Sequence, residues 1–342
     1  MSRKPRGTDL SLSSVKSSAR RMLALMVITI AILAAARGTG RTAPAVFGPT
    51  DAFYSVVKLP SGKWLVVGAS GVLLSSDDGK SWTRTQLAKT YPFSWLDLFS
   101  IRFAPDGVNG WISGEQGLIL HTTDAGKTWQ KQQSGVTDNL YRVAPVDAQN
   151  AVASGVGGSL LYTHDGGQSW QLAKQKNGFA YFDAAATDAA NAWAVGEFET
   201  ILHSSDGGKT WTVQRGGKRI NFRQPAYFTI RFRDSMHGWV TGQGATLLMT
   251  SDGGKTWQPV VSPTTSSMFG TVFTDARFWM AGDDGVLLNA SLDGSGKAVT
   301  VQPTFSVLND VAFAGQTGIA VGFNGTILST DDGGGHWQKV SQ

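Results

Sequence analysis

Beyond about residue 50 the chain consists of short apolar runs cut by turns of glycine, aspartate, serine and threonine. Trp64-Leu65-Val66-Val67 leads through Gly68 to Val72-Leu73-Leu74, and Trp193-Ala194-Val195 leads through Gly196 to Thr200-Ile201-Leu202. Runs this short between turn residues predict strands joined as hairpins. The pattern is periodic. Ser75-Ser76-Asp77-Asp78-Gly79-Lys80-Ser81-Trp82 recurs in kind at residues 122–129, 163–170, 204–211, 250–257 and 330–337, with a worn copy around Asp293. The aligned aspartates are Asp77, Asp124, Asp165, Asp206, Asp252, Asp293 and Asp332, spaced by 47, 41, 41, 46, 41 and 39 residues. Seven units of that length predict an all-β, seven-bladed propeller with four strands per blade.

A second marker keeps step with the first. Gly68, Gly114, Gly155, Gly196, Gly242, Gly282 and Gly322 each fall between two apolar runs, 9 to 11 residues ahead of the aspartate. The aspartate motif reads as turn chemistry: its carboxylate accepts hydrogen bonds from turn amides, a glycine supplies positive φ, and the tryptophan packs as the outer strand begins. These are the residues of the Asp-box, and their expected role is structural. The sixth copy has Ser295 and Ala298 where glycine and tryptophan are expected, so blade six is predicted to be the least anchored. Residues 53–57 read as the first inner strand and 337–340 as the last outer one. Every blade is then contiguous in sequence, and the ring closes by packing blade one on blade seven.

Strand order fixes the sides. The Asp-boxes join strands three and four on one rim, while the glycine-marked turns and the links between blades lie on the other, here termed the connection face. Two links are longer than the repeat requires, and insertions on a rigid repeat scaffold are where binding concentrates. The first contains Tyr91, Phe93 and Trp95, unusually aromatic for an exposed loop. The second contains Arg215, Lys218, Arg219 and Arg223. Arg102, Arg142 and Arg231 fall at nearly equivalent places on three inner strands, where a cation must reach the central channel or find a partner. These ten residues are the candidate protein-binding set. With the turn Gly114-Glu115-Gln116-Gly117, the seven repeats resemble the photosystem II stability/assembly factor family over about residues 50–340. The resemblance implies an assembly chaperone that binds a membrane protein subunit through an arginine-rich surface, with Arg102, Arg142 and Arg231 as its candidates here.

Charge changes the picture only at the N-terminus. The net charge is +5, and residues 1–36 hold six basic residues against Asp9, leaving the remaining residues neutral. The basic balance therefore gives no argument for nucleic acid. Arg20-Arg21 precede an apolar run at residues 22–36, shorter than the roughly 20 residues of a spanning helix, with small residues at its end. The expected organisation is a signal peptide or anchor (1–36), a linker (37–49) and the propeller (50–342). It places the protein in a periplasm or thylakoid lumen, tethered to the membrane by residues 22–36 where that segment is an anchor.

Chemistry is sparse. With no cysteine, thiolate sites and disulfides are excluded. The five histidines show no ligand spacing, so no metal and no cofactor are expected. The three glutamates, Glu115, Glu197 and Glu199, with Asp283, do not gather a carboxylate pair of the kind glycoside hydrolysis needs. The reading is a non-enzymatic binding propeller that assists a membrane protein complex. An accessory subunit of an envelope transporter is the alternative binding function, and an Asp-box glycoside hydrolase or sialidase-like enzyme the alternative class.

Overall fold

The computed structural model describes residues 46–87, 95–173, 178–221, 223–262, 264–275, 277–292 and 299–341. The N-terminal segment, Tyr91, Phe93, Asp293, Ser295 and Ala298 lie outside the described residues. Among the described residues, twenty-eight strands form seven antiparallel sheets of four, each drawn from one contiguous stretch. Blade one runs through Phe53–Lys58, Trp64–Gly68, Val72–Ser76 and Thr83–Gln86; blade seven through Leu308–Ala314, Thr317–Gly322, Ile327–Thr330 and Gln338–Lys339. Each inner strand packs on the inner strand of the next blade, and that of blade seven on that of blade one. The ring is closed without a shared blade.

Two-residue alternation explains the core. Second-strand residues point by turns to the two neighbouring blades, so Trp64 and Val66 join blade seven while Leu65 and Val67 join blade two. Seven such apolar clusters fill the seven interfaces. The seam between blades one and seven also holds Phe47 and Val340, so both ends of the described chain are packed there.

The aspartate turns satisfy themselves. In blade two Thr122 Oγ1 donates to Asp124 Oδ1, Gly126 N to Thr122 Oγ1, and Thr128 N and Oγ1 to the two Asp124 oxygens, at 2.7–3.0 Å. The turns at Asp165, Asp206, Asp252 and Asp332 repeat this pattern. Blade one corrects the sequence alignment: the bonded carboxylate is Asp78, not Asp77. Asp78 Oδ1 accepts from Ser76 Oγ, Lys80 N and Ser81 N, while Asp77 is exposed. The reason is a turn one residue shorter. Gly79 N reaches a hydroxyl three residues back, where Gly126 N reaches four. Counting back from tryptophan therefore lands on the wrong neighbour.

Candidate binding face

The marker glycines have a steric cause on the connection face. Gly68 is extended at φ −167°, so no positive φ is involved. A Cβ there would collide with the Ala52 carbonyl oxygen, and at Gly196 or Gly322 with those of Ala180 and Val307. That carbonyl belongs to the chain arriving at the blade's inner strand and accepts the N–H after the glycine, as Ala69 N to Ala52 O at 2.9 Å. Bringing the incoming chain this close leaves one extra residue at the start of every inner strand. All seven blades accordingly carry a β-bulge there, skipping the second residue of the strand.

The skipped residue is Tyr54, Phe99, Tyr141, Phe182, Phe228 and Phe269 in blades one to six and Asn309 in blade seven. A bulge re-aims its side chain, and here it collects six aromatic rings, all half-buried, at one mouth of the channel. Their centroids follow one another at 5.7, 5.4, 5.7, 5.6 and 5.2 Å, and Phe323 adds a seventh ring 6.1 Å from Tyr54. Opposite members of a seven-fold ring stand more than twice one step apart, so the rings form a collar around an opening. Burial, then the Asp97 carboxylate that accepts its hydroxyl, keep the Tyr54 phenol protonated far above its ordinary range. The sequence reading missed this collar.

The arginines of the inner strands sit deeper. Asp183 in blade four accepts Arg142 Nε at 2.7 Å from blade three, and Arg231 Nη1 and Ile230 N from blade five. Asp310 in blade seven accepts Ser55 Oγ and Val56 N from blade one and Arg102 from blade two, at 3.0–3.2 Å. Each aspartate thus clamps three blades together. Arg142 is the third residue of its strand, whereas Arg102 and Arg231 are the fifth, which corrects their near-equivalence in sequence. All three are largely buried and ion-paired. Although burial opposes it, the charges of Arg142 and Arg231 hold Asp183 below its ordinary value; burial and the Arg142 charge push Arg102 below its own. Guanidinium groups keep their proton, so three cations and two carboxylates leave the cluster with one excess positive charge.

The links between blades complete the face. Trp95 is exposed at the end of the first insertion. In the second, Lys218, Arg219 and Arg223 are exposed and Arg215 is half-buried, its Nε donating to Tyr227 Oη at 2.9 Å. Arg219 lies over the Phe198 ring, 5.8 Å from its centroid. The acids are engaged locally: Glu115 accepts Asp97 N, Glu197 accepts Ala180 N, and Asp283 bonds Ser267. Each thus fastens the chain arriving at its own blade, in blades two, four and six. Among the described residues no group of histidines and carboxylates is arranged to hold a metal.

Fold and face together define a seven-bladed propeller that presents a collared channel mouth on a rigid scaffold. The chain belongs to the photosynthesis system II assembly factor YCF48 family, whose model matches residues 52–172 and 220–302. It is similar to a solved structure of YCF48 bound to D1 peptide, with 20% identity, a TM-score of 0.66, and 84% of this chain and 94% of that one covered. YCF48 from Cyanidioschyzon merolae gives 18% identity and a TM-score of 0.64 over 84% and 97% of the two chains. A GH74 xyloglucanase from Xanthomonas campestris gives 12% identity and a TM-score of 0.66 over 87% of this chain and 55% of that one. At such identities the likenesses show the fold. No curated protein matches the chain by sequence.

Proposed function

We propose that this propeller is a non-enzymatic, extracytoplasmic factor that assists the assembly or stability of a membrane protein complex, docking its client on the connection face. The aromatic collar carries this reading. The closed ring does not need six half-buried rings at one channel mouth, and aromatic side chains are the type most often found as interface anchors. Membership of an assembly-factor family supports it, as does the D1 peptide bound by one YCF48 structure. Cations of the second insertion contribute chiefly to encounter rate and register. Arg102, Arg142 and Arg231 act in this reading mainly by holding the mouth in shape.

The test is affinity capture of client from membranes in mild detergent. Phe182→Ala with Phe228→Ala is expected to abolish capture. Replacing Arg215, Lys218, Arg219 and Arg223 by alanine should weaken it in a salt-dependent way, with the melting midpoint nearly unchanged. Full capture by both variants would place the site elsewhere. Cleavage of sialosides or β-glucans by purified protein, lost in Glu115→Gln or Glu197→Gln, would favour the hydrolase class instead.

A further inference from the structure

The four most exposed large apolar side chains among the described residues all stand on one face. They are Val261 (92% exposed), Phe305 (88%), Ile220 (79%) and Trp95 (66%). Each lies on a link between an outer strand and the next inner strand, in the links from blades one, four, five and six. The remaining four of the class, from Val108 to Val213, are all below half exposed and lie on outer strands or at the opposite rim. Single exposed apolar residues need no explanation, but four loop tips directed to one side of a ring do. Folding does not require them, since each inter-blade cluster is complete without them.

Their surroundings point to one occupant. Trp, Phe, Ile and Val tips beside exposed Lys218, Arg219 and Arg223 have the composition of a surface that rests at a membrane interface: apolar tips reach the acyl boundary while cations meet anionic headgroups. On this face Asp97, Glu115 and Glu197 are turned to backbone N–H groups, Asp284 is exposed in blade six, and Lys218 and Arg223 are exposed in the Ile220 loop. The first described residues enter on this same face, where Gly325 N donates to Asp51 O and Asp51 N to Gly48 O.

We infer that the connection face rests on a lipid bilayer surface, with Trp95, Ile220, Val261 and Phe305 entering the headgroup layer and the basic loop paired with anionic lipid. The inference rests on the extracytoplasmic reading above and names the surface on which the client is met. The collar then opens toward the membrane plane, where a membrane protein's emerging segments lie.

The absence of cysteine makes the test direct. Ile220→Cys, Val261→Cys and Phe305→Cys, each in the full chain, are labelled with a polarity-sensitive fluorophore and reconstituted in phosphatidylethanolamine–phosphatidylglycerol vesicles. Lys209→Cys on the aspartate rim is the control. Blue-shifted emission and quenching by acyl-chain nitroxides at the three tips, with Lys209 still open to aqueous iodide, is the expected result. Equal access of iodide to all four labels in vesicles would overturn the inference. Shielding of the tips only when client-bearing membranes are supplied would also overturn it, assigning the tips to the client protein and leaving the proposed function intact. Loss of client capture with the lipid contacts retained would do the reverse.

Discussion

Two buried aspartates each tie three blades together. Asp183 and Asp310 are each fully buried, and each accepts bonds from two other blades. Removing one partner of a buried ion pair costs about 3–5 kcal/mol, because the other charge stays buried and unpaired. Asp183→Ala strands both Arg142 and Arg231, and Asp310→Ala strands Arg102; each is expected to lose stability of that order in urea unfolding. A loss under about 1 kcal/mol would mean that channel water compensates the guanidinium groups. The rim aspartates act differently. Hydrogen bonds from Ser169 and Thr256, hydroxyl and backbone alike, hold Asp165 and Asp252 at about 2 against an ordinary 3.8. Lowered carboxylate values stabilise the fold fully above 3.8, and that contribution is lost as the pH falls through about 2. Each is small because the turns are exposed, but the motif repeats around the rim. Melting temperature should fall across that window and fall less steeply in Asp165→Asn; a flat profile would contradict the turn geometry.

At the scale of the strand and its hairpin, periodicity was the legible part. Apolar runs, marker glycines and aspartate turns give the seven blades, their contiguity and the two rims, because each signal is local and repeated. What the sequence did not disclose follows from irregularity. A one-residue deletion in the first aspartate turn hid Asp78 behind Asp77, since the alignment leaned on Trp82. The β-bulge hid the collar: two-residue alternation assigns the second residue of an inner strand to a blade face, and only the skipped pairing turns it to the channel mouth. A signal was present all the same, since an aromatic occupies the second place of six inner strands, from Tyr54 to Phe269. The partners of Arg102, Arg142 and Arg231 were equally hidden, because Asp310 is 208 residues from Arg102. For blade six the sequence still makes a claim. Its outer strand, Val299–Val301, follows a sequence without the anchoring tryptophan, so its amides are expected to exchange fastest among the outer strands. Slower exchange there than at Gln338–Lys339 would show that the tryptophan is dispensable.

For the whole molecule, the expectation of export rests on Arg20-Arg21 and the apolar run that follows. A C-terminal alkaline phosphatase fusion should be active, and mass spectrometry of the mature chain should find an N-terminus near Arg37. An intact Met1 in the membrane fraction would make residues 22–36 an anchor, and an inactive fusion would defeat the topology. Closure of the ring without a shared blade bears on how such a chain is made. The bonds from Ser55 and Val56 to Asp310 span 255 and 254 residues. Contacts that distant in sequence form late and slowly. A chain delivered from its N-terminus exposes the blade-one surface of Trp64, Val66 and Trp82 until Ile319 and Ile327 arrive to cover it. During that interval it is open to aggregation and to proteases. A protein whose proposed work is to shelter other chains in assembly thus has a nascent form that is itself exposed, and truncation after blade six should leave an open arc that is degraded rather than a smaller ring.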